Sequence, residues 1–273
     1  MPHRQHDLRD AGLSALAARR DHVAEHAIFA RYSLAPVHAR VPVVLLHGLV
    51  VSSAFHRRAL RRVGNHRRAY APDLPGYGLS SKPESVPGIL EQARIVAAWM
   101  DALWLSGAVV AGVSMGTQYA TALASERPDL VRGLVLASPT MEPRLRATPR
   151  AVGRWLLESR HELPMAGMAM RDYARTGMRR ASETLRLALA DRPEDRLAGL
   201  SMPTLVLRGS ADHLVSHDWA ADYTSRLPNG QLVEVPGVAH AMNFSAPDEF
   251  SRLVVAFATE LEARAPAATG VAA

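Results

Sequence analysis

The chain has 273 residues, of which 48% are hydrophobic, and it carries a formal net charge of +6 at pH 7. This length is enough to bury a full core as one domain with an insertion, and two independent domains are not expected. Because the chain contains no cysteine, a disulfide framework, a thiolate metal site and a cysteine nucleophile are all excluded.

The arginines that supply the positive charge are scattered along the predicted helices rather than gathered in one stripe. We therefore expect a solvated basic surface and no nucleic-acid partner. No uninterrupted apolar run approaches the roughly 20 residues of a membrane helix, and the N-terminus includes no apolar signal region. A cytoplasmic protein without a membrane partner is expected, and the sequence leaves the oligomeric state open.

The first part of the chain alternates between predicted helices and strands. A helical apolar pattern covers residues 8–20, and strand patterns follow at residues 26–35 and 41–46. The next three segments are predicted, in order, as a helix, a short strand and a strongly amphipathic helix: residues 52–63, 69–73 and 89–105.

Further strands are predicted in the rest of the chain, at residues 108–111, 131–137, 203–208 and 231–235. Helical patterns follow the first and the last two of these strands, and the first helix is predicted over residues 115–127. This alternation predicts an α/β fold with a mostly parallel twisted sheet and helices on both faces. In such a fold, the loops at the carboxyl ends of the strands are the natural place for chemistry.

Residues 140–199 show no strand pattern, only helical segments interrupted by prolines and glycines. We interpret them as a helical cap inserted into the core. Residues 1–139 form the first part of that core, with an N-terminal helical extension, and residues 200–263 form the second part. Residues 264–273 are small and polar, which predicts a disordered tail.

The sequence Gly112-Val-Ser-Met-Gly116 lies between an apolar run and a predicted helix, which indicates a strand, a sharp turn and a helix. Such an elbow lifts the hydroxyl of Ser114 clear of the sheet, where a base can remove its proton. The flanking glycines are expected because the turn leaves no room for side chains. A plain glycine and serine turn is the alternative, and it is less favoured because an acid and a histidine follow in order.

Asp212 lies just beyond the strand predicted at residues 203–208, and His240 lies just beyond the strand predicted at residues 231–235. The order of nucleophile, acid and histidine, each in a loop after a strand, resembles the α/β-hydrolase family. A helix N-terminal acid is the alternative for Asp212. Its position at a strand end and its spacing to His240 favour the catalytic role.

Two further segments resemble the same family. His47-Gly48-Leu49 looks like its oxyanion loop, and residues 73–83 look like the loop after the next strand. The resemblance covers about residues 24–261. We expect Asp73 and His47 to stabilise these loops rather than to take part in the chemistry, and His213 and His217 to lie on the surface.

The resemblance implies a triad of Ser114, Asp212 and His240. It also implies an oxyanion hole formed by the backbone N–H groups of Leu49 and Met115. Ser114 excludes the branches of the family with an aspartate nucleophile, the haloalkane dehalogenases and epoxide hydrolases.

The leading hypothesis is a serine hydrolase that cleaves a small, largely apolar carboxylic ester, lactone or thioester through an acyl-enzyme. Resemblance to ring-cleavage-product hydrolases leaves open the hydrolysis of a carbon–carbon bond in a vinylogous diketone. Those relatives usually have a tryptophan where this chain has Ala241. A binding protein or a non-hydrolytic biosynthetic catalyst on the same fold is the third alternative.

A small-molecule substrate is expected to contact apolar side chains of the cap and of the catalytic loops. Val50 stands where many relatives have a second glycine after the His-Gly pair, which predicts a more apolar entrance. The candidate substrate-binding residues are Val50, Met165, Met168, Met170, Met178 and Met242. Ordinary helix packing is the alternative for the cap methionines.

The sequence contains no H-E-x-x-H motif, no phosphate-binding glycine loop and no dinucleotide fingerprint. Each of these motifs marks a common metal or cofactor site. We therefore expect no metal and no organic cofactor.

Overall fold

A computed structural model describes residues 12–34, 38–140, 142–143, 158 and 163–264. Its centre is an eight-stranded sheet with the spatial order β1-β2-β4-β3-β5-β6-β7-β8. The strands are β1 (Leu16–Val23), β2 (His26–Ser33), β3 (Val43–Leu46), β4 (Ala69–Pro72), β5 (Ala108–Val113), β6 (Val131–Ala137), β7 (Thr204–Gly209) and β8 (Gly230–Val235). Strands β3 to β8 pair in parallel, whereas β2 pairs antiparallel with both β1 and β4. The predicted mostly parallel sheet is confirmed.

Helices cover both faces of this sheet. They are α1 (Arg57–Val63), α2 (Ile89–Ala102), α3 (Gly116–Glu126), α4 (Ala166–Thr176), α5 (Met178–Ala190), α6 (His217–Ser225), α7 (Met242–Ser245) and α8 (Pro247–Ala263). Successive side chains of a strand point to opposite faces. On β3, Val44 and Leu46 accordingly pack in one hydrophobic cluster with α2 and α3, while Val43 and Leu45 pack in a second cluster with α1 and α8.

The predicted strands from residue 26 onward and the predicted helices at 52–63, 89–105 and 115–127 are confirmed, with ends that differ by a few residues. The helix predicted at residues 8–20 is wrong throughout its described part, because residues 12–15 form a turn and irregular chain and the segment from Leu16 onward is the edge strand β1. Each of its residues pairs with β2, from Leu16 opposite Ser33 to Val23 opposite His26. Tertiary pairing overrides a local pattern that favours helix. Residues 8–11 lie outside the described residues.

Within the connection between β6 and β7, residues 140–199 are called the β6–β7 insertion. Its described residues from 163 to 199 form α4, α5 and short 3-10 turns, with no strand among them. The tail predicted at 264–273 lies outside the described residues except for Arg264. None of the helices in the described part of the chain is long and apolar enough to cross a membrane.

The parallel strands place three loops at one edge of the sheet. Ser114 directly follows β5, Asp212 follows β7, and His240 follows β8. Because the carboxyl ends of parallel strands meet at the same edge, residues that are 126 positions apart in sequence come into contact there.

Trp99 on α2 and Trp104, two residues after the end of α2, offer a matched test of the packing. Trp99 is fully buried and donates its indole N–H to the Asp21 carboxylate on β1 at 3.0 Å, whereas Trp104 is 89% exposed. Trp99→Ala should lower the free energy of unfolding by about 3–5 kcal/mol, because it leaves a cavity between α2 and the sheet. Trp104→Ala should change it by less than about 0.5 kcal/mol. Urea unfolding measures both values, and equal losses would contradict this packing.

Candidate active site

Ser114 occupies a strained turn between β5 and α3. Its φ of 57° lies in the left-handed region, which is unfavourable for residues other than glycine. Its backbone N–H donates to the carbonyl of Ala137 on the neighbouring strand at 2.9 Å, and its carbonyl accepts from the N–H of Thr117 at 2.9 Å. These bonds hold the turn in place and direct the hydroxyl away from the sheet.

The glycines on either side of Ser114 are required by close backbone contacts. A Cβ at Gly112 would lie 2.3 Å from the carbonyl oxygen of Gly116, and a Cβ at Gly116 would lie 2.3 Å from that of Leu46. Such distances are far below van der Waals contact. The expectation that the turn has no room for side chains is confirmed.

The structure brings the three predicted triad residues together. The Nε2 atom of His240 lies 2.8 Å from Oγ of Ser114, and its Nδ1 atom lies 2.9 Å from Oδ2 of Asp212. Asp212 and His240 are both buried. A hydroxyl, an imidazole and a carboxylate thus form one continuous chain of hydrogen bonds.

The environment of Asp212 keeps its carboxylate ionised. Burial raises its pKa, but the charge and hydrogen bond of His240 and the N–H of Val215 outweigh burial and hold the pKa below its ordinary value. Its Oδ1 atom accepts from the N–H groups of Leu214 and Val215 at 2.8 and 2.9 Å. Because an ionised carboxylate can only accept a hydrogen bond, Nδ1 of the neutral His240 ring carries the proton. Nε2 then has a lone pair that can accept the proton of Ser114.

The two predicted oxyanion donors belong to residues next to Ser114 in the chain or close to it in space. Met115 follows it in the turn, and Leu49 follows Gly48, whose Cβ position would be 3.3 Å from the Cβ of Ser114. Among the residues that the structure describes, the N–H groups of Leu49 and Met115 have no hydrogen-bond acceptor. The oxyanion hole at these two N–H groups stays a prediction.

Buried polar groups hold the loop that carries Leu49, which we call the oxyanion loop (residues 47–53). The carboxylate of Asp73 accepts from the N–H of Ser53 at 2.6 Å and from that of Leu79 at 2.7 Å. Nε2 of His47 accepts from the N–H of Leu74 at 3.0 Å, and burial lowers the pKa of His47, which keeps it neutral. Both residues bind backbone groups, in agreement with the structural roles predicted for them.

The candidate substrate-binding residues fall into two groups. Met165 and Met242 are buried in the hydrophobic cluster that also contains Val51 of the oxyanion loop, and Met168 packs against this cluster. Val50 is buried within that loop and has a φ of 58°.

Met170 and Met178 lie on the surface of the β6–β7 insertion, with 71% and 68% of their areas exposed. They do not lie in the buried cluster with the other candidates, because they project from the solvent side of their helices. The surface positions predicted for His213 and His217 are confirmed.

Sequence analysis missed two buried carboxylates of the β6–β7 insertion. Oδ2 of Asp172 accepts from Oγ of Ser52 in the oxyanion loop at 2.5 Å. The Glu158 carboxylate accepts from the backbone N–H groups of His213 and His240 at 2.9 and 2.8 Å. Both side chains are almost wholly buried. No local motif marks these contacts, because Ser52, His213 and His240 are all more than 50 positions away in the sequence.

Within the described parts of the chain, no group of three or more histidine, aspartate and glutamate side chains is placed to hold a metal ion.

Comparison with known proteins identifies the family. The sequence profile of the Alpha/beta hydrolase family matches residues 43–253. The chain belongs to this family and is a hydrolase enzyme, and the predicted resemblance is confirmed.

Individual relatives are more distant. The pimeloyl-[acyl-carrier protein] methyl ester esterase of Yersinia enterocolitica is 30% identical over 251 residues, which cover 80% of this chain and 93% of that protein. A haloalkane dehalogenase of Agrobacterium fabrum is 39% identical over 100 residues, or 37% of this chain and 33% of that enzyme. The crystal structure of the enol-lactonase from Burkholderia xenovorans LB400 has a TM-score of 0.72 at 21% identity and covers 88% of this chain and 100% of that chain. This last likeness shows the fold alone.

A buried histidine next to the oxyanion loop makes stability depend on pH. Burial, together with the nearby His47, lowers the pKa of His56 from 6.5 to about 3. The unfolded chain therefore binds a proton below about pH 6.5 that the folded chain does not bind, and stability falls as the pH falls. Between about pH 6 and pH 4, the free energy of unfolding should fall less steeply in His56→Leu than in wild type, by about 1.4 kcal/mol per pH unit.

Urea unfolding at a series of pH values measures this slope. His66→Leu, at an exposed position, is the matched control and should leave the slope unchanged. An identical slope in wild type and His56→Leu would show that His56 is not buried in its neutral form.

Proposed function

We propose that the chain is a serine esterase that cleaves a small, largely apolar carboxylic ester through an acyl-enzyme. The observation that carries the proposal is the chain of hydrogen bonds from Ser114 through His240 to Asp212, with distances of 2.8 and 2.9 Å. A serine hydroxyl becomes a useful nucleophile only when a base can take its proton, and this arrangement supplies both the base and the group that orients it.

In the first step, Oγ of Ser114 attacks the ester carbonyl while Nε2 of His240 takes the hydroxyl proton. The carbonyl oxygen gains negative charge and is stabilised by the N–H groups of Leu49 and Met115. In enzymes of this kind, removal of one such donor costs about 3–4 kcal/mol of transition-state stabilisation. The ionised Asp212 stabilises the imidazolium that forms.

In the second step, His240 gives its proton to the leaving alcohol, and the acyl group stays on Ser114. Water then attacks the acyl carbonyl with His240 as the base, which releases the acid and restores the serine hydroxyl. Both half-reactions use the same oxyanion donors and the same imidazole.

The ester class is supported by the Yersinia relative, whose name specifies a methyl ester of an acyl chain. Apolar side chains next to the oxyanion loop support an apolar acyl group. Val50, Met165, Met168 and Met242 are the residues that we propose contact it, with the β6–β7 insertion acting as a cap over the loops. Burial of each CH₂ group of an acyl chain in such a site is worth about 0.8 kcal/mol.

Hydrolysis of p-nitrophenyl esters of graded acyl length tests the proposal. Ser114→Ala should remove activity toward all of them, and Asp212→Asn should lower kcat on the order of 10³-fold to 10⁴-fold because the ring loses the group that orients and charges it. Asp218→Asn, an exposed carboxylate on α6, is the matched control and should keep wild-type kcat.

Retention of kcat within tenfold in Asp212→Asn would assign the acid to another residue. Full activity in Ser114→Ala would overturn the serine mechanism. A wild-type protein that cleaved vinylogous diketones but none of the esters would favour carbon–carbon bond hydrolysis instead.

A further inference from the structure

Glu158 joins the two loops that carry the acid and the histidine. Its Oε2 atom accepts from the N–H of His213, the residue after Asp212, and its Oε1 atom accepts from the N–H of His240. The distances are 2.9 and 2.8 Å, and the residue is only 1% exposed. One carboxylate of the β6–β7 insertion therefore binds both loops at once.

The backbone of His240 is held on its other side as well. Its carbonyl accepts from Oγ of Ser138, the first residue after β6, at 2.9 Å. The N–H and the C=O of His240 are thus fixed by side chains from two different segments. Small backbone shifts at His240 would move its Nε2 atom relative to the hydroxyl of Ser114. Both contacts therefore help to maintain the 2.8 Å distance between Nε2 of His240 and Oγ of Ser114.

Glu158 does not take the place of the triad acid. Its oxygens contact backbone N–H groups, whereas Nδ1 of the His240 ring contacts Asp212. The two carboxylates therefore have separate tasks. Asp212 orients and charges the imidazole, and Glu158 fixes the main chain from which the imidazole projects.

The contact requires a carboxylate of this length. Both of its oxygens can accept, which satisfies two donors in a buried place where an unpaired polar group is costly. Glutamine has one acceptor oxygen and would turn its NH₂ group toward the second donor. Aspartate keeps both oxygens but is shorter by one CH₂ group, so we expect it to hold the two loops less closely than glutamate does.

We propose that Glu158 is a positioning residue, through which the β6–β7 insertion holds the Asp212 loop and the His240 loop in the geometry that activates Ser114. The proposal rests on the proposed serine esterase function. It adds that the insertion contributes to the rate of the chemical step as well as covering the substrate.

The test compares Glu158→Gln and Glu158→Asp with wild type and with Glu183→Gln. Glu183 is a partly exposed glutamate of the same insertion, paired with Arg186 on α5, and it serves as the matched control. The measurements are kcat and KM on a p-nitrophenyl ester, the rate of covalent labelling by a fluorophosphonate probe, and circular dichroism with thermal unfolding.

Glu158→Gln should lower kcat by about 10-fold to 100-fold, because a misplaced catalytic group costs up to about 100-fold in rate. The labelling rate should fall by the same factor, KM should change by less than about threefold, and the fold should be retained. Glu158→Asp should lie between Glu158→Gln and wild type, and Glu183→Gln should match wild type. If the role were purely structural, the substitution would lower the unfolding temperature without lowering kcat selectively over KM.

Wild-type kcat and labelling rate in a folded Glu158→Gln variant would overturn the proposal, as would a change confined to KM. If Glu158→Gln does not fold, wild-type rates in a folded Glu158→Asp variant would also overturn it. Loss of the fold in both variants would assign the residue to stability instead. If the wild type itself is not labelled, the serine esterase function fails, which is a separate outcome.

Discussion

The left-handed backbone at Ser114 is the constraint on which the rest of the site depends. A non-glycine residue with a φ of 57° persists only where its surroundings hold it. Here α3 begins so close to β3 that the Cβ position of Gly116 would lie 2.3 Å from the carbonyl of Leu46. This close approach brings the nucleophile against the oxyanion loop, where a Cβ at Gly48 would lie 3.3 Å from the Cβ of Ser114. The same turn places the hydroxyl at the carboxyl end of the sheet, within reach of the loops after β7 and β8.

The β6–β7 insertion is connected to this machinery by buried carboxylates. Asp172 on α4 accepts from the hydroxyl of Ser52 in the oxyanion loop, and Glu158 accepts from the backbone of both the acid loop and the histidine loop. A buried carboxylate is stable only when hydrogen bonds compensate the loss of water. Displacement of the insertion would break the contact of Asp172 with Ser52 and the contacts of Glu158 with His213 and His240. The insertion and the catalytic loops are therefore expected to keep one common arrangement.

Much of the fold and of the candidate site could be predicted from the sequence because the relevant signals are local. Buried parallel strands are continuous apolar runs, and the elbow and the strand-end positions of Asp212 and His240 follow from the residues around them. β1 was not predictable in this way, because its pairing with β2 rather than its own pattern makes it a strand. Glu158 and Asp172 were missed for a related reason. Glu158 contacts His213, which is 55 positions away in the sequence, and Asp172 contacts Ser52, which is 120 positions away. The exposure of Met170 depends on which side of α4 faces the core, and that side carries the buried Asp172.

The central claim is that Ser114, activated by His240, carries the acyl group during turnover. It is tested most directly by mixing the protein with a p-nitrophenyl ester, quenching in acid within the first turnover, and measuring the mass of the intact protein and of the peptide that contains Ser114. The account predicts a mass increase equal to the acyl group, located on Ser114 and absent in Ser114→Ala. An acyl group on a different residue, or release of product in the first turnover with no acylated protein at any quench time, would contradict it.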